Sequence, residues 1–464
     1  MAGTEAETAA DRRPAEAALP GGRPAWLPDL LWSLLLVVMA VGLTVAGVVN
    51  GPTISGVDEH THLDYAWKIA QGELPYAGSE LSDYVLDEWA CRGQDNLEDA
   101  LPSCADATND VVGPEAYPGR GENYNFWHPP GYYAVTAVLA TAIENLPLGV
   151  TFTTGARLTG ALWLATAVVA MYLVLRQWHV RRWMSASGAA VVMGVPSIAH
   201  ASSTVNNDAP AALIGVAALW ILTRAFLHHR TGWVLPTTVA VLAASVKLMS
   251  TVAILVAVGV VALTAVPALR ERRFADAARR LAVAVGPVVG VALVAGGWSA
   301  LQAGRGEPGW VNPISGVNTA EITGLPFDEW APTLTSAFGL VRDFYLQPAL
   351  NSLVLGAVVA LLALLLTASP FVNVAFYDRG RPERMLGWAA LLGALAVPIL
   401  VQGQELFRGG EYFPRVSSRY AVTLLPMTVA AILLVAQSRR FQIATAVVAA
   451  GTYLVVLLGF TGLI

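Results

Sequence analysis

The chain has 464 residues, of which 55% are hydrophobic and only 13% are charged, and its mean hydropathy is +0.55. Soluble domains carry charges on about 25% of their residues. This composition therefore excludes an ordinary soluble domain and predicts an all-α, multi-pass membrane protein. The net charge of −5 shows no overall basic signature, so no nucleic-acid partner is expected.

The first segments of the chain predict a tail followed by a retained membrane anchor. Residues 1–25 are rich in Ala, Glu, Pro and Arg, a composition typical of a disordered cytoplasmic tail. The apolar run at 26–49 exceeds the roughly 20 residues that a spanning helix needs. It is too long for a signal-peptide core and no small-residue cleavage site follows it. Residues 26–464 are therefore predicted to form one polytopic transmembrane domain.

Apolar runs along the chain predict about 11 transmembrane helices. The candidate spans are 26–49, 157–178, 184–201, 209–227, 233–249, 251–268, 281–302, 351–371, 386–402, 420–437 and 442–463. Loops rich in Lys and Arg stay cytoplasmic, and a cytoplasmic amino terminus puts most of the 28 basic residues inside. Three long extracytoplasmic loops result, at 50–156, 303–350 and 403–419. Residues 131–147 in the first loop are predicted to lie along the interface as a helix.

An acidic pair, Asp58 and Glu59, follows the first predicted span in the segment VDEHTHLDYAWKIAQGELPY. A carboxylate at the lip of a membrane cavity can act as a general base, while its neighbour binds a sugar hydroxyl or a metal. The pair can equally begin the next helix, because Asp is a favourable N-cap and Glu suits a first turn. His62 lies four residues after Asp58, so on a helix it either stands over the acid or is a surface histidine.

Two further polar segments are candidates for substrate binding. In NYNFWHPPGYY, residues 123–133, aromatic rings such as that of Tyr132 can stack on sugars, and His128 can bind a hydroxyl or phosphate. An aromatic belt at the membrane interface is the alternative. In SSTVNNDAP, residues 202–210, Asp208 either caps a helix whose first turn contains proline or faces Asp58 across a cavity as a second functional acid.

Two cations lie near the outer ends of predicted spans. Lys247 falls in VLAASVKLMST and Arg419 in SSRYAVTLLP. A cation at membrane depth is costly unless it is paired or reaches the surface, so both are candidates to bind a lipid-linked phosphate. Simple snorkelling is the alternative. Weaker candidates in the outer loops are Arg305, Arg342, Arg408 and Arg415.

The two cysteines, Cys91 and Cys104, share the first long loop. In an oxidising compartment they are expected to form a disulfide, and the alternative is two unpaired thiols. Two cysteines alone make a poor zinc site. Adjacent Asp and Glu without further clustered ligands are weak evidence for a divalent ion. The expectation is therefore no metal and no cofactor.

The series DEHTHLDYA, HPPGYY, NND, ASVKLM and SSRYAVTLLP resembles the GT-C glycosyltransferases, multi-spanning enzymes that use polyprenyl-phosphate sugars. The resemblance covers most of the chain, although no large carboxy-terminal soluble domain follows the last span. It implies an inverting hexosyl- or pentosyltransferase with Asp58 as general base and Glu59 beside it. Lys247 and Arg419 would bind the donor phosphate.

The resemblance also implies a location and partners. A lipid-linked donor implies an active site on the extracytoplasmic face, where nucleotide sugars are not supplied. The Ala- and Arg-rich, Lys-poor composition is similar to that of high-GC bacteria such as actinobacteria, which implies the bacterial plasma membrane. The acceptor would be a glycan, lipid, protein or peptide. The alternatives are a lipid-linked glycan polymerase or ligase, a transporter, or a membrane scaffold without catalytic activity.

Overall fold

The computed structural model describes residues 26–94, 97, 100–316, 319–321, 353–414, 416–436 and 438–461. The predicted tail at 1–25 lies outside the described residues. So do Arg342, with most of the second outer loop, and Arg415 in the third.

Helices account for most of the described chain. In order they are α1 (Leu27–Asn50), α2 (Glu59–Ala70), α3 (Asp83–Arg92), α4 (Cys104–Thr108), α5 (Gly131–Glu144), α6 (Phe152–Leu158), α7 (Gly160–Gln177), α8 (Arg182–Met193), α9 (Pro196–Ala201), α10 (Ala211–Phe226), α11 (Val234–Val246), α12 (Val252–Leu263), α13 (Ala265–Arg270), α14 (Phe274–Ala303), α15 (Leu353–Phe376), α16 (Pro382–Gly409), α17 (Leu425–Val435) and α18 (Arg439–Phe460). Short 3-10 helices at Leu248–Thr251 and Ser418–Leu424 precede α12 and α17. Strand β1 (Ala320–Glu321) pairs antiparallel with β2 (Glu411–Tyr412), joining the second and third of the long loops predicted to be extracytoplasmic.

Within the described residues, six helical segments are long and apolar enough to cross a membrane. They are Leu27–Asn50, Phe152–Gln177, Leu248–Arg270, Phe274–Ala303, Pro382–Phe407 and Arg439–Phe460. Shorter apolar helices at Ala211–Phe226, Val234–Val246, Leu364–Phe376 and Arg419–Val435 overlap four of the other predicted spans. The predicted span at 184–201 is divided where Pro196 starts α9, because proline cannot continue the preceding hydrogen-bond ladder. The number of crossings stays a prediction.

Apolar side chains cover the outside of the helical bundle as well as its core. Val38 is 68% exposed, Val49 72% and Leu293 70%, whereas soluble proteins rarely expose large contiguous apolar surfaces. Together with the apolar segments, this exposure shows a multi-pass membrane protein. The backbone of such helices satisfies its own hydrogen bonds, as the bilayer requires.

Residues 51–158, here called the outer unit, fold into α2–α6 with a second hydrophobic core. Cys91 and Cys104 form a disulfide that joins α3 to α4, as expected. The predicted helix at 131–147 is present as α5. The first two turns of α2 are buried on every side. Polar side chains can be buried there because other segments supply their partners.

Candidate active site

Asp58 is the last residue of the segment between α1 and α2, and its backbone conformation is strained. Its φ of 58° and ψ of 18° lie in the left-handed region, which non-glycine residues rarely adopt. It occupies the N-cap position of α2, but its side chain makes no capping hydrogen bond. Instead, Tyr124 donates its hydroxyl to Oδ1 at 3.1 Å, and Oδ2 lies 3.4 Å from Nη2 of Arg419. The simple capping interpretation of this carboxylate is therefore wrong.

Lys247 lies at a break in the helical bundle. Helix α11 ends at Val246, and Lys247 adopts an extended conformation with φ of −160° and ψ of 121° before the next 3-10 helix. Its Nζ lies 2.5 Å from Oδ1 of Asp208, and its side chain is only 5% exposed. Lys247 is thus buried and paired, so snorkelling does not explain it. Asp208 does not cap α10 with its side chain, which rules out that interpretation as well.

Arg419 lies between the two acids. Its Nη2 approaches Asp58, and its Nε is 4.0 Å from Oδ2 of Asp208. The ring of Tyr420 lies 5.6 Å from both the Arg419 guanidinium carbon and Lys247 Nζ, a distance at which cations and rings attract. We call Asp58, Arg419, Asp208 and Lys247 the charged cluster, because acids and bases alternate along it.

Close helix packing brings Arg419 to this position. A Cβ on Gly215 of α10 would lie 2.2 Å from the carbonyl oxygen of Thr423, in the 3-10 helix that carries Arg419. Only glycine permits so close an approach. The turn containing Asp208 leads directly into α10, so this contact also brings Arg419 close to Asp208.

The charged cluster is open at one end and enclosed at the other. The side chains of Asp58 and Arg419 are each 27% exposed, whereas that of Asp208 is 11% exposed. Arg419 Nε and Asp208 Oδ2 are buried and make no hydrogen bond within the described part of the chain. Leaving such charged atoms without a hydrogen bond costs about 1–3 kcal/mol each. The geometry suits an anionic ligand that enters beside Asp58 and reaches Arg419.

Burial and neighbouring charge act in opposite directions on the two acids. Burial raises the pKa of the Asp58 carboxyl, but the Arg419 guanidinium beside it contributes to a pKa below its usual range. At Asp208 burial is likewise offset, chiefly by Lys247, and the pKa is again lowered. Both acids are therefore ionised at neutral pH.

Glu59 is part of a separate, fully buried network. Arg157 donates Nε to Oε1 and Nη2 to Oε2, each at 2.8 Å. The backbone N–H groups of Ser55 and Val205 donate to the same carboxylate. This side chain is 0% exposed, so Glu59 is enclosed by its own partners, and the contact with Val205 ties the outer unit to the turn before α10.

The histidine and tyrosine candidates pack beneath the cluster. His62 Nδ1 lies 2.8 Å from the Tyr133 hydroxyl, and the side chain is buried, so His62 is not a surface histidine. The His128 ring is buried, 6.0 Å from that of His62. Tyr132 accepts a hydrogen bond from the backbone of Asn206, which supports the turn that holds Asp208. Among the described residues, no three His, Cys, Asp or Glu side chains form a group able to hold a metal.

Two residues at the site are missing from the sequence candidates. The Tyr124 hydroxyl lies 3.2 Å from His60 Nε2 as well as contacting Asp58, and His60 stacks on Trp89 at 4.0 Å. The preceding residue Asn123 donates to Asp64 at 2.7 Å and fastens this loop to α2. Tyr124 lies in the segment 123–133 and His60 in the segment 57–76, which the sequence marks as candidates, but neither residue stands out within its segment.

Comparison with known proteins shows likeness in structure alone. The chain matches no protein-family profile and no curated protein sequence. The crystal structure of ArnT from Cupriavidus metallidurans bound to undecaprenyl phosphate is similar, with a TM-score of 0.50 and 16% identity over 93% of this chain and 77% of that chain. The apo structure of ArnT gives a TM-score of 0.48 and 14% identity over the same shares. The protein therefore has an ArnT-like fold, the GT-C membrane fold that the motif series predicts.

Proposed function

We propose that this protein is a membrane glycosyltransferase that moves a sugar from a polyprenyl-phosphate donor to an acceptor hydroxyl. The observation that carries the proposal is the charged cluster, in which the partly exposed carboxylate of Asp58 lies beside Arg419, and a second cation, Lys247, is paired with Asp208. A protein of the same fold, ArnT, is known with undecaprenyl phosphate bound, which supports a lipid-linked donor. We further propose that the site lies on the extracytoplasmic face of a bacterial plasma membrane.

In this proposal Arg419 and Lys247 bind the donor phosphate. Arg419 offers a planar fork for phosphate oxygens, and its Nε makes no hydrogen bond within the described residues. Lys247 supplies a second positive charge from the enclosed side. As the glycosidic C–O bond breaks, the bonding electrons leave with the phosphate oxygen, and both cations stabilise the charge that develops there.

Asp58 then acts as the general base. The acceptor oxygen forms its bond to the anomeric carbon from the opposite side, and its proton passes to Asp58, so the configuration inverts. A low pKa makes a weak base, but Arg419 contributes to that low pKa. When the donor phosphate engages Arg419, less positive charge remains available to Asp58 and its pKa rises. Donor binding would thus prepare the base for the acceptor.

We assign the remaining candidates supporting positions. His62, His128 and Tyr132 line the base of the site and orient the sugar, while Asp208 holds Lys247. Glu59 positions Asp58 by holding the start of α2 against Arg157. The acceptor is a glycan, lipid, protein or peptide.

The test is release of polyprenyl phosphate from a panel of short-chain polyprenyl-phosphate sugars by the purified protein in detergent, with membrane extract as the acceptor source. Wild type is expected to turn over one donor, and Asp58→Asn to lose about 100-fold or more of that rate, the size of a general-base contribution. Asp83→Asn is the matched control, because Asp83 is an exposed acid in the same outer unit.

Thermal unfolding of each variant shows whether it is folded. Full turnover by a folded Asp58→Asn protein would remove Asp58 as the base. If wild type releases nothing from any donor, the glycosyltransferase proposal is contradicted and the polymerase and transporter alternatives gain support.

A further inference from the structure

A cavity lies at the opposite end of the bundle from the charged cluster. Helix α7 begins beside the Glu59–Arg157 pair and runs for 18 residues to Gln177, a length of about 27 Å at 1.5 Å per residue. Arg181 follows just beyond that end. Helix α17 likewise leads from the Arg419 segment to the start of α18 at Arg439. The two arginines are therefore remote from the proposed site of transfer.

The cavity has a volume of about 600 Å³ and is lined by Arg181, Trp183, Arg439, Gln442 and Ile443. This volume falls within the range of about 300–1,000 Å³ that is typical of small-molecule sites. Arg181 immediately precedes α8, and Arg439 is the first residue of α18. The positive ends of two helix dipoles therefore lie near the same cavity and reinforce the charge of the side chains.

The charge in the cavity is not neutralised by nearby acids. Asp29 pairs with Arg176 at 3.3 Å and with Arg182 at 3.0 Å. Arg181 and Arg439 form no ion pair within the described ranges. Arg181 donates a hydrogen bond from Nη1 to Oε1 of Gln442, at 3.5 Å. The cavity thus presents two available cations.

An apolar stripe continues from the cavity along α18 toward the middle of the bundle. Ile443 is 48% exposed, Val447 65% and Leu454 51%. Their spacing of four and seven residues puts them on one face of the helix. A ligand that fits both features has an anionic head and an apolar chain. Trp183 at the rim is the residue type that favours the boundary between headgroups and hydrocarbon.

We propose that this cavity binds the phosphate headgroup of an anionic phospholipid, whose acyl chain lies along the exposed face of α18. Basic cavities between membrane helices are suited to such headgroups. The inference does not depend on the glycosyltransferase proposal, because it concerns the other end of the molecule and a lipid that is bound rather than consumed.

Native mass spectrometry of the purified protein with phosphatidylglycerol or phosphatidylcholine tests the proposal. Wild type is expected to bind phosphatidylglycerol at least tenfold more tightly, and the double variant Arg181→Gln/Arg439→Gln to lose that preference. The control Arg272→Gln/Arg279→Gln removes two exposed arginines that do not line the cavity, and should keep it. An unchanged preference in the double variant would overturn the proposal.

Two further measurements separate a lipid from a soluble anion. Val447→Gln alters the apolar stripe alone, so it should weaken phosphatidylglycerol binding while leaving the arginines intact. Inorganic phosphate at millimolar concentration should not displace the lipid from wild type. Displacement by phosphate, together with unchanged lipid binding by Val447→Gln, would show a soluble-anion site instead. If the double variant does not fold, Arg439→Gln alone is expected to lose part of the preference, and full retention would count against the site.

Discussion

Asp58 combines three features that a capping residue does not require. Its backbone is left-handed, its carboxylate receives a tyrosine hydroxyl, and a guanidinium lies beside it. Holding a non-glycine residue in that conformation costs of order 1–3 kcal/mol. The conformation persists because α2 and the Tyr124 loop are both fastened around it. In this conformation the carboxylate contacts Tyr124 and Arg419 and does not cap α2.

Tyr124→Phe should slow transfer without weakening donor binding. The hydroxyl stabilises the ionised Asp58, and a hydrogen bond to a charged group is worth about 1.5–3 kcal/mol. Loss of that bond raises the pKa of Asp58, so the pH profile of kcat should move to higher pH. It also leaves the carboxylate free to turn away from the acceptor, so we expect kcat to fall about 10- to 100-fold. KM for the donor should stay within twofold. A raised KM with an unchanged kcat would instead put Tyr124 in the donor site.

Arg419→Ala and Lys247→Ala should both weaken donor binding, because each removes a charge from the phosphate position. Arg419→Lys is expected to restore only part of the affinity, since Lys lacks the planar fork. Equilibrium binding of a non-transferable polyprenyl phosphate measures this directly. Arg120→Ala is a suitable control, because that arginine is in the outer unit and its side chain is 55% exposed. Equal affinity in both cluster variants and wild type would remove the proposed phosphate site.

At the scale of the element, α2 depends on its buried ion pair. Glu59 receives two bonds from Arg157 and two from backbone N–H groups. Removing one partner of a buried pair typically costs about 3–5 kcal/mol, because the other charge remains buried. Glu59→Gln should therefore lower the thermal stability in detergent far more than Asp58→Asn does. A Glu59→Gln protein with wild-type stability but no turnover would instead indicate a catalytic carboxylate.

The break between α11 and α12 is the second element that shapes the site. In a continuous helix the 3.6-residue period would fix the direction of the Lys247 side chain relative to its neighbours. The extended conformation at Lys247 interrupts that period and allows its amine to reach Asp208. The two short apolar segments predicted at 233–249 and 251–268 reflect this interruption.

For the whole molecule, two buried histidines should make stability depend on pH. Burial lowers the pKa of His60 to about 4 and that of His62 to about 3. Below the unfolded value of about 6.5, the unfolded chain binds protons that the folded chain does not. The free energy of unfolding should therefore fall as the pH decreases from 6.5 to about 4, by up to about 1.4 kcal/mol per unit for each histidine. Above pH 6.5 these residues should have no effect.

Unfolding temperatures measured in detergent across this range test the expectation. His60→Gln should reduce the slope, whereas His229→Gln should not, because His229 is exposed. A slope that is identical in the His60→Gln protein and wild type would contradict the assignment.

The sequence by itself determined the class of the protein, the order of its apolar segments and the four charged candidates that form the cluster. Asp58, Lys247 and Arg419 stand out in a chain that is 55% hydrophobic, because charge beside an apolar run is costly without a purpose. A disulfide between the only two cysteines was similarly open to prediction. These features are local in sequence, so they did not require knowledge of the packing.

Only the tertiary structure decided which partner each charge has. Glu59 looks equivalent to Asp58 in the sequence, yet Arg157, 98 residues away, encloses it in a separate network. Tyr124 reaches Asp58 across 66 residues, and Arg419 reaches it across 361. Such contacts depend on how the helices pack and where they break. Neither the period of the hydrophobic residues nor a local motif specifies the packing or the breaks. Asp58 and Glu59 therefore differ in burial and in charged partners although they are adjacent in the sequence. Burial and nearby charge set the chemistry of a carboxylate.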